Sequence, residues 1–473
     1  MTAGHPTMAW RSQERSRAER PVAAFVWLVW AATIASILLF IAHDGRNIPF
    51  EEDWLMVAPM TGHEPDLLPW LWSQNSEHRL PLPRLVNLAL LRATGDFRST
   101  MVFNALALGA VAAAMILVAR ALRDRRTRLA DAFFPLLLLQ LGNWDNLVWG
   151  WQIQFVLPTV LVCALLLIIV ARPTLPTGVV AVAGALALIG LPLSGANGMV
   201  FAPMLAAWFA YVAWAARRVP QRDRSVGSRL PAAAAVLAAL LCAIYFIGYE
   251  SSPWNAPSPG LRATLETSGK FLALAVGPAA AKSWLLFGGV VLVVLLASLG
   301  VLRGAWRRRS DERVRIIGLI AFFTAVTALA LAVGWGRAGR AAETGRMSTR
   351  YVLLAAPALC AVYFTLLLFG KDWMRRAGPA ALALLMALLF PFNTLVGLER
   401  RDWFGAGMAA FERDLASGAS AALLARRHHS FMLHWDEPLM IVGLKQLHDA
   451  GIGPFARWEP NPLGRPDTAV PKR

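Results

Sequence analysis

The sequence is short of charge. Asp, Glu, Lys and Arg make up only 16% of its 473 residues, against 57% hydrophobic, a balance too apolar for a soluble globular domain. Cysteine is scarcer still: Cys163, Cys242 and Cys360 each sit inside an apolar run, which excludes a disulfide framework, and no CxxC or Cys/His cluster has metal-ligand spacing. There is no GxxxxGK[ST] loop and no GxGxxG fingerprint, so nothing points to nucleotide use. Acids are outnumbered 29 to 46 by Lys and Arg, a basic excess that would suit nucleic acid if it were gathered on one face.

What is present is apolar runs. Each is long enough, at about 20 residues, to cross a bilayer core of about 30 Å. The first, 22–42, follows a charged leader and has no small-residue cleavage site behind it, so it reads as a retained anchor. The others lie near 101–119, 132–141, 153–170, 179–193, 199–215, 231–247, 284–301, 316–333, 352–369 and 377–396, eleven in all. The run 132–141 is short for a crossing unless it continues through "GNWDNLVWGW", so ten or twelve crossings stay open. The expectation is an all-α polytopic membrane protein of about 11 transmembrane helices: a cytoplasmic segment 1–21, a membrane module 22–396 with a long outer loop at 44–98, and a small water-soluble outer tail, 397–473, whose Pro-rich end reads as disordered.

Charge orients the chain. With the N-terminus inside, the cytoplasmic segments hold 24 of the 46 Lys and Arg and the outer loops, tail apart, 12, while the acids run the other way, 8 to 12. This is the positive-inside pattern of a membrane protein with a cytoplasmic N-terminus and an outer C-terminus. It also removes nucleic acid as a partner, because the basic residues are divided among short loops.

The unusual residues collect outside. Loop 44–98 opens with "IPFEEDWLMV", three consecutive acids, Glu51, Glu52 and Asp53, between Phe50 and Trp54. "NSEHRLPLPR" follows, with Glu77, His78, Arg79 and Arg84, and two prolines that are expected to interrupt a helix and free backbone groups. The turn "GNWDNLVWGWQIQ" is dense in Trp and Asn and has the single charge Asp145. The segment 336–351, "GRAGRAAETGRMSTRY", carries Arg337, Arg340, Arg346 and Arg350 beside Tyr351, against the positive-inside bias. In the tail, "DEPLMIVGLKQLHDAG" has a helix start in Asp436 and Pro438 and a stop in Gly451. Each has a plainer reading: solvated acids, an internal Glu77–His78–Arg79 salt bridge, a headgroup-anchoring arginine loop, a Trp interface belt.

Acids, a histidine and arginines at headgroup depth suit an anionic lipid phosphate. Arginine forks match phosphate oxygens, and a carboxylate can deprotonate a hydroxyl nucleophile. Glycosyl transfer from a lipid-linked sugar combines the two. A divalent cation is compatible with the acids but not required by any residue pattern, and no cofactor is named.

An inside N-terminus, a first span and a long outer loop that opens on paired acids resemble the GT-C class of multi-spanning glycosyltransferases, here in a bacterial, uncharacterised subgroup. "EEDW" stands where that class carries its acidic motif, and "SEHRLPLPRL" and "GR…STRY" look similar to loops of bacterial members. The resemblance covers the membrane part and implies transfer of a hexose or pentose from a polyprenyl-phosphate donor, with inversion, to a glycan or glycolipid acceptor. It implies Asp53 or Glu52 as general base, Asp53 slightly ahead. Glu51, Glu77, His78, Arg79, Arg84, Arg337, Arg346, Arg350 and Tyr351 are the expected substrate-binding residues. Two other classes stay open. A polysaccharide polymerase or ligase would place its main basic loop late and need no early acid cluster. A transporter would need ionisable residues at mid-depth, where the runs have almost none.

Overall fold

The structure is a computed structural model that describes residues 7–171, 178–217, 229–252, 256–344 and 347–460, with side chains from residue 20 onward. Arg346 and the Pro-rich end of the tail lie outside the described residues. Helix α1 (Thr7–Asp44) leads into the loop 44–98 expected on the outer face, here called the outer loop: a 3-10 turn over Glu51–Met56, α2 (Val57–Thr61), α3 (Leu67–Trp72), an antiparallel hairpin of two-residue strands β1 (Gln74–Asn75) and β2 (His78–Arg79), and α4 (Pro81–Thr94). The prolines of "LPLPR" do not interrupt a helix. Pro81 and Pro83 open α4, where the first-turn N–H groups have no intrahelical partner to lose.

Then come α5 (Arg98–Ala121), α6 (Phe133–Leu138), α7 (Trp144–Val148), α8 (Ile153–Ala171), α9 (Gly178–Gly190), α10 (Ala196–Arg217), α11 (Arg229–Tyr245), α12 (Leu261–Ala273), α13 (Trp284–Arg308), α14 (Arg313–Thr344), α15 (Val352–Phe369), α16 (Asp372–Ala416), α17 (Ala421–Met432) and α18 (Glu437–Asp449). Among the described residues eight helices are long and apolar enough to cross a membrane: α1, α5, α8, α10, α13, α14, α15 and α16, with α9 and α11 shorter but apolar.

Burial follows from residue distribution. Helix α15 is apolar all round, and all of it except Leu366 and Leu368 is buried, against α8, α13, α14 and α16. Helices α13 and α16 turn Leu285, Leu286, Val293, Leu384, Leu388 and Phe392 outward. Exposed apolar side chains in rows of this kind are the mark of a lipid-facing surface.

The weak run 132–141 is not one regular span. Residues 129–152 form 3-10 turns and short helices, α6 and α7 among them, buried almost throughout. Leu139 (φ −112°, ψ 48°) ends α6 and the extended Trp149 (φ −125°, ψ 107°) ends α7, so no single helix forms. Such backbone is tolerated at membrane depth only where protein encloses it. At one end of the segment Asp131 bonds Arg123 and Tyr363; at the other Asp145 accepts from the Thr349 hydroxyl at 2.8 Å.

Helix α16 runs unbroken through 396–397, so the tail leaves the membrane module as the end of a helix 45 residues long. At 1.5 Å per residue that is about 67 Å, more than twice a bilayer core of about 30 Å. Beyond it, α17 and α18 fold back onto the outer loop: Gly443 lies against Trp54, and Gly453 against Asn47. The sequence signals for α18 hold, since Asp436 caps it by accepting the Leu439 N–H at 2.8 Å and Gly451 follows it with φ 65°.

Candidate functional site

A cavity of about 1350 Å³ opens at the end of the bundle that carries the outer loop. Its walls come from five places: the acidic turn and the hairpin of the outer loop, α7 and the start of α8, residues 248–252 after α11, the end of α14 with the turn before α15, and α16 with the link between α17 and α18.

The acidic turn owes its shape to Glu51, which holds a left-handed backbone (φ 51°). A non-glycine residue there is strained by about 1–3 kcal/mol and persists only when its surroundings fix it. Glu51 and Glu52 both line the cavity. Asp53 does not. It is 1% exposed; one carboxylate oxygen accepts the Trp151 N–H at 2.7 Å and the other faces the Phe50 N–H at 3.4 Å. Asp53 ties the turn to the broken segment and stands behind the wall, so the geometry gives no support to Asp53 as the base. Burial raises its pKa to about 8, with the N–H donors pulling the other way.

Glu52 is placed differently. One carboxylate oxygen is buried and has no hydrogen-bond partner. Burial raises its pKa above the usual carboxylate range, Arg350 draws it down, and the neighbouring Glu51 raises it. Glu51 is itself engaged, accepting from the His434 ring at 2.9 Å.

Glu77 lies in the turn of the hairpin and His78 opens its second strand. His78 lines the cavity, and its Nδ1 has no partner. Burial, with Arg337 and Arg350 adding, lowers its pKa to about 3, so the imidazole is neutral. Glu77 pairs with Arg337 at 3.3 Å. The internal Glu77–His78–Arg79 bridge is not formed.

Arg79 lines the cavity, Arg84 does not, and both spend donors on the scaffold. Arg79 donates to the carbonyls of Trp72, Tyr245, Ile247 and Gly248 and fastens the hairpin to the end of α11. Arg84 donates to Trp70 and Ser73, stacks on Trp70 at 5.1 Å, and does not reach the cavity. Guanidinium groups with their donors spent on carbonyls have little left for a ligand.

The late arginines face the cavity. Arg337 donates to the Tyr351 hydroxyl at 2.8 Å. Arg350 lies 5.7 Å from the Trp149 ring and 5.9 Å from Phe155, with its Nε buried and unpartnered and no carboxylate in ion-pair range among the described residues. The Asn146 side chain holds the Arg350 carbonyl at 3.2 Å. Trp144 and Trp149 are buried and line the cavity rather than forming an interface belt.

The sequence reading missed Arg400, Trp403, His434 and Trp435, all cavity-lining, and gave Arg340 and Asp145 no role. Arg340 was within reach, because it sits three residues from Arg337 on one helix face. Asp145 stood out as the single charge of its Trp-rich turn, and Arg400, Trp403, His434 and Trp435 come from the tail, where no local pattern marks them. Among the described residues no three His, Cys, Asp or Glu side chains come together as metal ligands.

Fold and cavity define an all-α polytopic membrane protein with a polar, aromatic-walled site at one end. No protein-family model, no curated protein and no solved structure matches the chain.

Proposed function

We propose that this chain is a GT-C-like membrane glycosyltransferase, with eleven crossings counting the broken segment 129–152, that moves a sugar from a polyprenyl-phosphate carrier to a glycan or glycolipid acceptor on the outer face of the bacterial inner membrane. Glu52 is the base. It takes the proton of the acceptor hydroxyl as that oxygen attacks the anomeric carbon. The bond from that carbon to the phosphate oxygen breaks on the far side, and the configuration inverts. Arg350 and Arg337 stabilise the negative charge that the leaving phosphate gains. Neutral His78 is suited to bond a sugar hydroxyl.

The observation that carries this reading is the pairing, in one cavity, of Glu52, one of whose carboxylate oxygens is buried without a hydrogen-bond partner, with Arg350, a guanidinium that has no ion-pair partner among the described residues. A carboxyl raised toward neutrality is a stronger base when ionised than a solvated one, and ideal catalytic groups titrate near working pH. The spans lack the ionisable mid-depth residues a transporter would need.

The test is transfer of radiolabelled sugar from a polyprenyl-phosphate donor in membranes that contain or lack the protein. Transfer that appears with the protein and falls about 10²–10⁴-fold in Glu52→Gln supports the reading. Full transfer by Glu52→Gln at normal membrane abundance overturns it.

A further inference from the structure

The cavity has two unlike walls. One, from α14, the turn before α15 and the hairpin, carries Arg337, Arg350 and His78. The other comes from the tail and carries Trp403 on α16, with His434 and Trp435 in the link between α17 and α18. The proposed chemistry above uses the first wall and leaves the second without a task.

The second wall holds bare indoles. Trp403 is 49% exposed and Trp435 39%. An interface belt would account for tryptophans at membrane depth facing lipid, but these face the cavity. Trp403 is 31 residues along α16 from Asp372, about 46 Å at 1.5 Å per residue, well past a hydrocarbon core of about 30 Å. Both rings are braced from the side. Trp403 meets Trp144 and Phe431 edge-on at 6.2 and 5.2 Å, and Trp435 stands at 89° to the His434 ring. His434 is in turn anchored on Glu51. Around the indoles stand Glu51, Arg400 and His434, groups that bond hydroxyls and that an alkyl chain would leave unsolvated and unpaired.

Flat apolar faces ringed by hydroxyl-bonding groups, open to water beyond the lipid, match the amphipathic surface of a pyranose or furanose, whose C–H face is apolar and whose rim is hydroxyls. We propose that Trp403 and Trp435 form a saccharide-binding subsite, with Glu51, His434 and Arg400 bonding the sugar's hydroxyls, and that this subsite holds the acceptor. The word acceptor rests on the transferase reading; the saccharide subsite does not.

Full-length protein in lipid nanodiscs, free of sugar detergents, is titrated with methyl glycosides of glucose, galactose, mannose and arabinose, followed by saturation-transfer NMR. Decyl phosphate serves as the probe of the arginine wall. At least one glycoside is expected to bind, with affinity at least tenfold weaker in Trp403→Ala/Trp435→Ala and retained in Trp403→Phe/Trp435→Phe. Decyl phosphate binding is expected to be unchanged by the tryptophan substitutions and lost in Arg350→Ala. Equal melting temperatures control for folding. Binding by no glycoside, or glycoside binding indifferent to the double alanine variant, overturns the subsite. Loss of decyl phosphate binding on removing the indoles also overturns it, because the wall then serves the lipid. A glycoside bound by the indoles while decyl phosphate fails to bind leaves the subsite standing and removes the donor reading.

Discussion

Glu51 and His434 lie 383 positions apart and meet at 2.9 Å. The contact joins the acidic turn of the first outer loop to the link between the last two helices, and it closes one side of the cavity. The hydrogen bond to Glu51 is the main reason the His434 pKa is raised above its ordinary value of 6.5; burial opposes, Glu52 adds to the rise, and Arg340 opposes. A raised folded-state pKa means that protonation and closure support each other. The contribution is complete below about pH 6.5 and is lost as pH rises through the higher folded value. Limited proteolysis between α17 and α18 is therefore expected to speed up on going from mildly acidic to mildly alkaline pH. His434→Gln should be cut at a rate that is flat with pH over that window. A wild-type rate that is equally flat would show the contact to be without energetic weight.

Adjacent acids are expected to fail in opposite ways. Asp53→Asn leaves the Phe50 or Trp151 N–H poorly matched in a buried place and should cost about 1–3 kcal/mol of stability, seen as lower membrane abundance and a lower melting temperature. Activity per folded molecule should stay near that of the parent. Glu52→Gln should melt as the parent does and lose transfer. Exchange of the two phenotypes would return the base to Asp53.

Arg350 supplies a fork and a stacking plane between Trp149 and Phe155. Arg350→Lys preserves charge but neither of these, so transfer should fall strongly. Full activity in Arg350→Lys with mild loss in Arg350→Ala would reduce the residue to a headgroup anchor.

At the far end of the broken segment, Asp131 is fully buried and bonded to both Arg123 and Tyr363. Removing one member of a buried charged pair strands the other. Asp131→Ala is expected to cost roughly 3–5 kcal/mol, and Tyr363→Phe about 1–3 kcal/mol. Thermal melting in nanodiscs separates them. Transfer by the surviving folded fraction should be unaffected, because the cluster lies at the opposite end from the cavity.

Orientation is checked with fusions. Alkaline phosphatase joined after Glu459 should be active and after Arg308 silent, as the arginine and lysine bias requires. The reverse pattern would invert the molecule.

Much of this protein was settled by composition and local pattern. A chain with so little charge and such long apolar runs has to be helical in lipid, because only a helix satisfies its own backbone there. Asp436, Pro438 and Gly451 set the limits of α18 for the same kind of reason: caps act within one turn. The arginines before α15 were legible because they broke the positive-inside bias. What the sequence alone left open is everything that depends on direction and on distant partners. Three acids in a row look equivalent until one backbone angle, φ 51° at Glu51, turns Glu51 and Glu52 into the cavity and leaves Asp53 behind it. Arg79 and Arg84 resemble ligand arginines until packing brings backbone carbonyls to them. His434, Trp403 and Trp435 carry no local signal at all, because the site they complete exists only after α16 has carried the chain past the membrane and α18 has folded back onto the first outer loop.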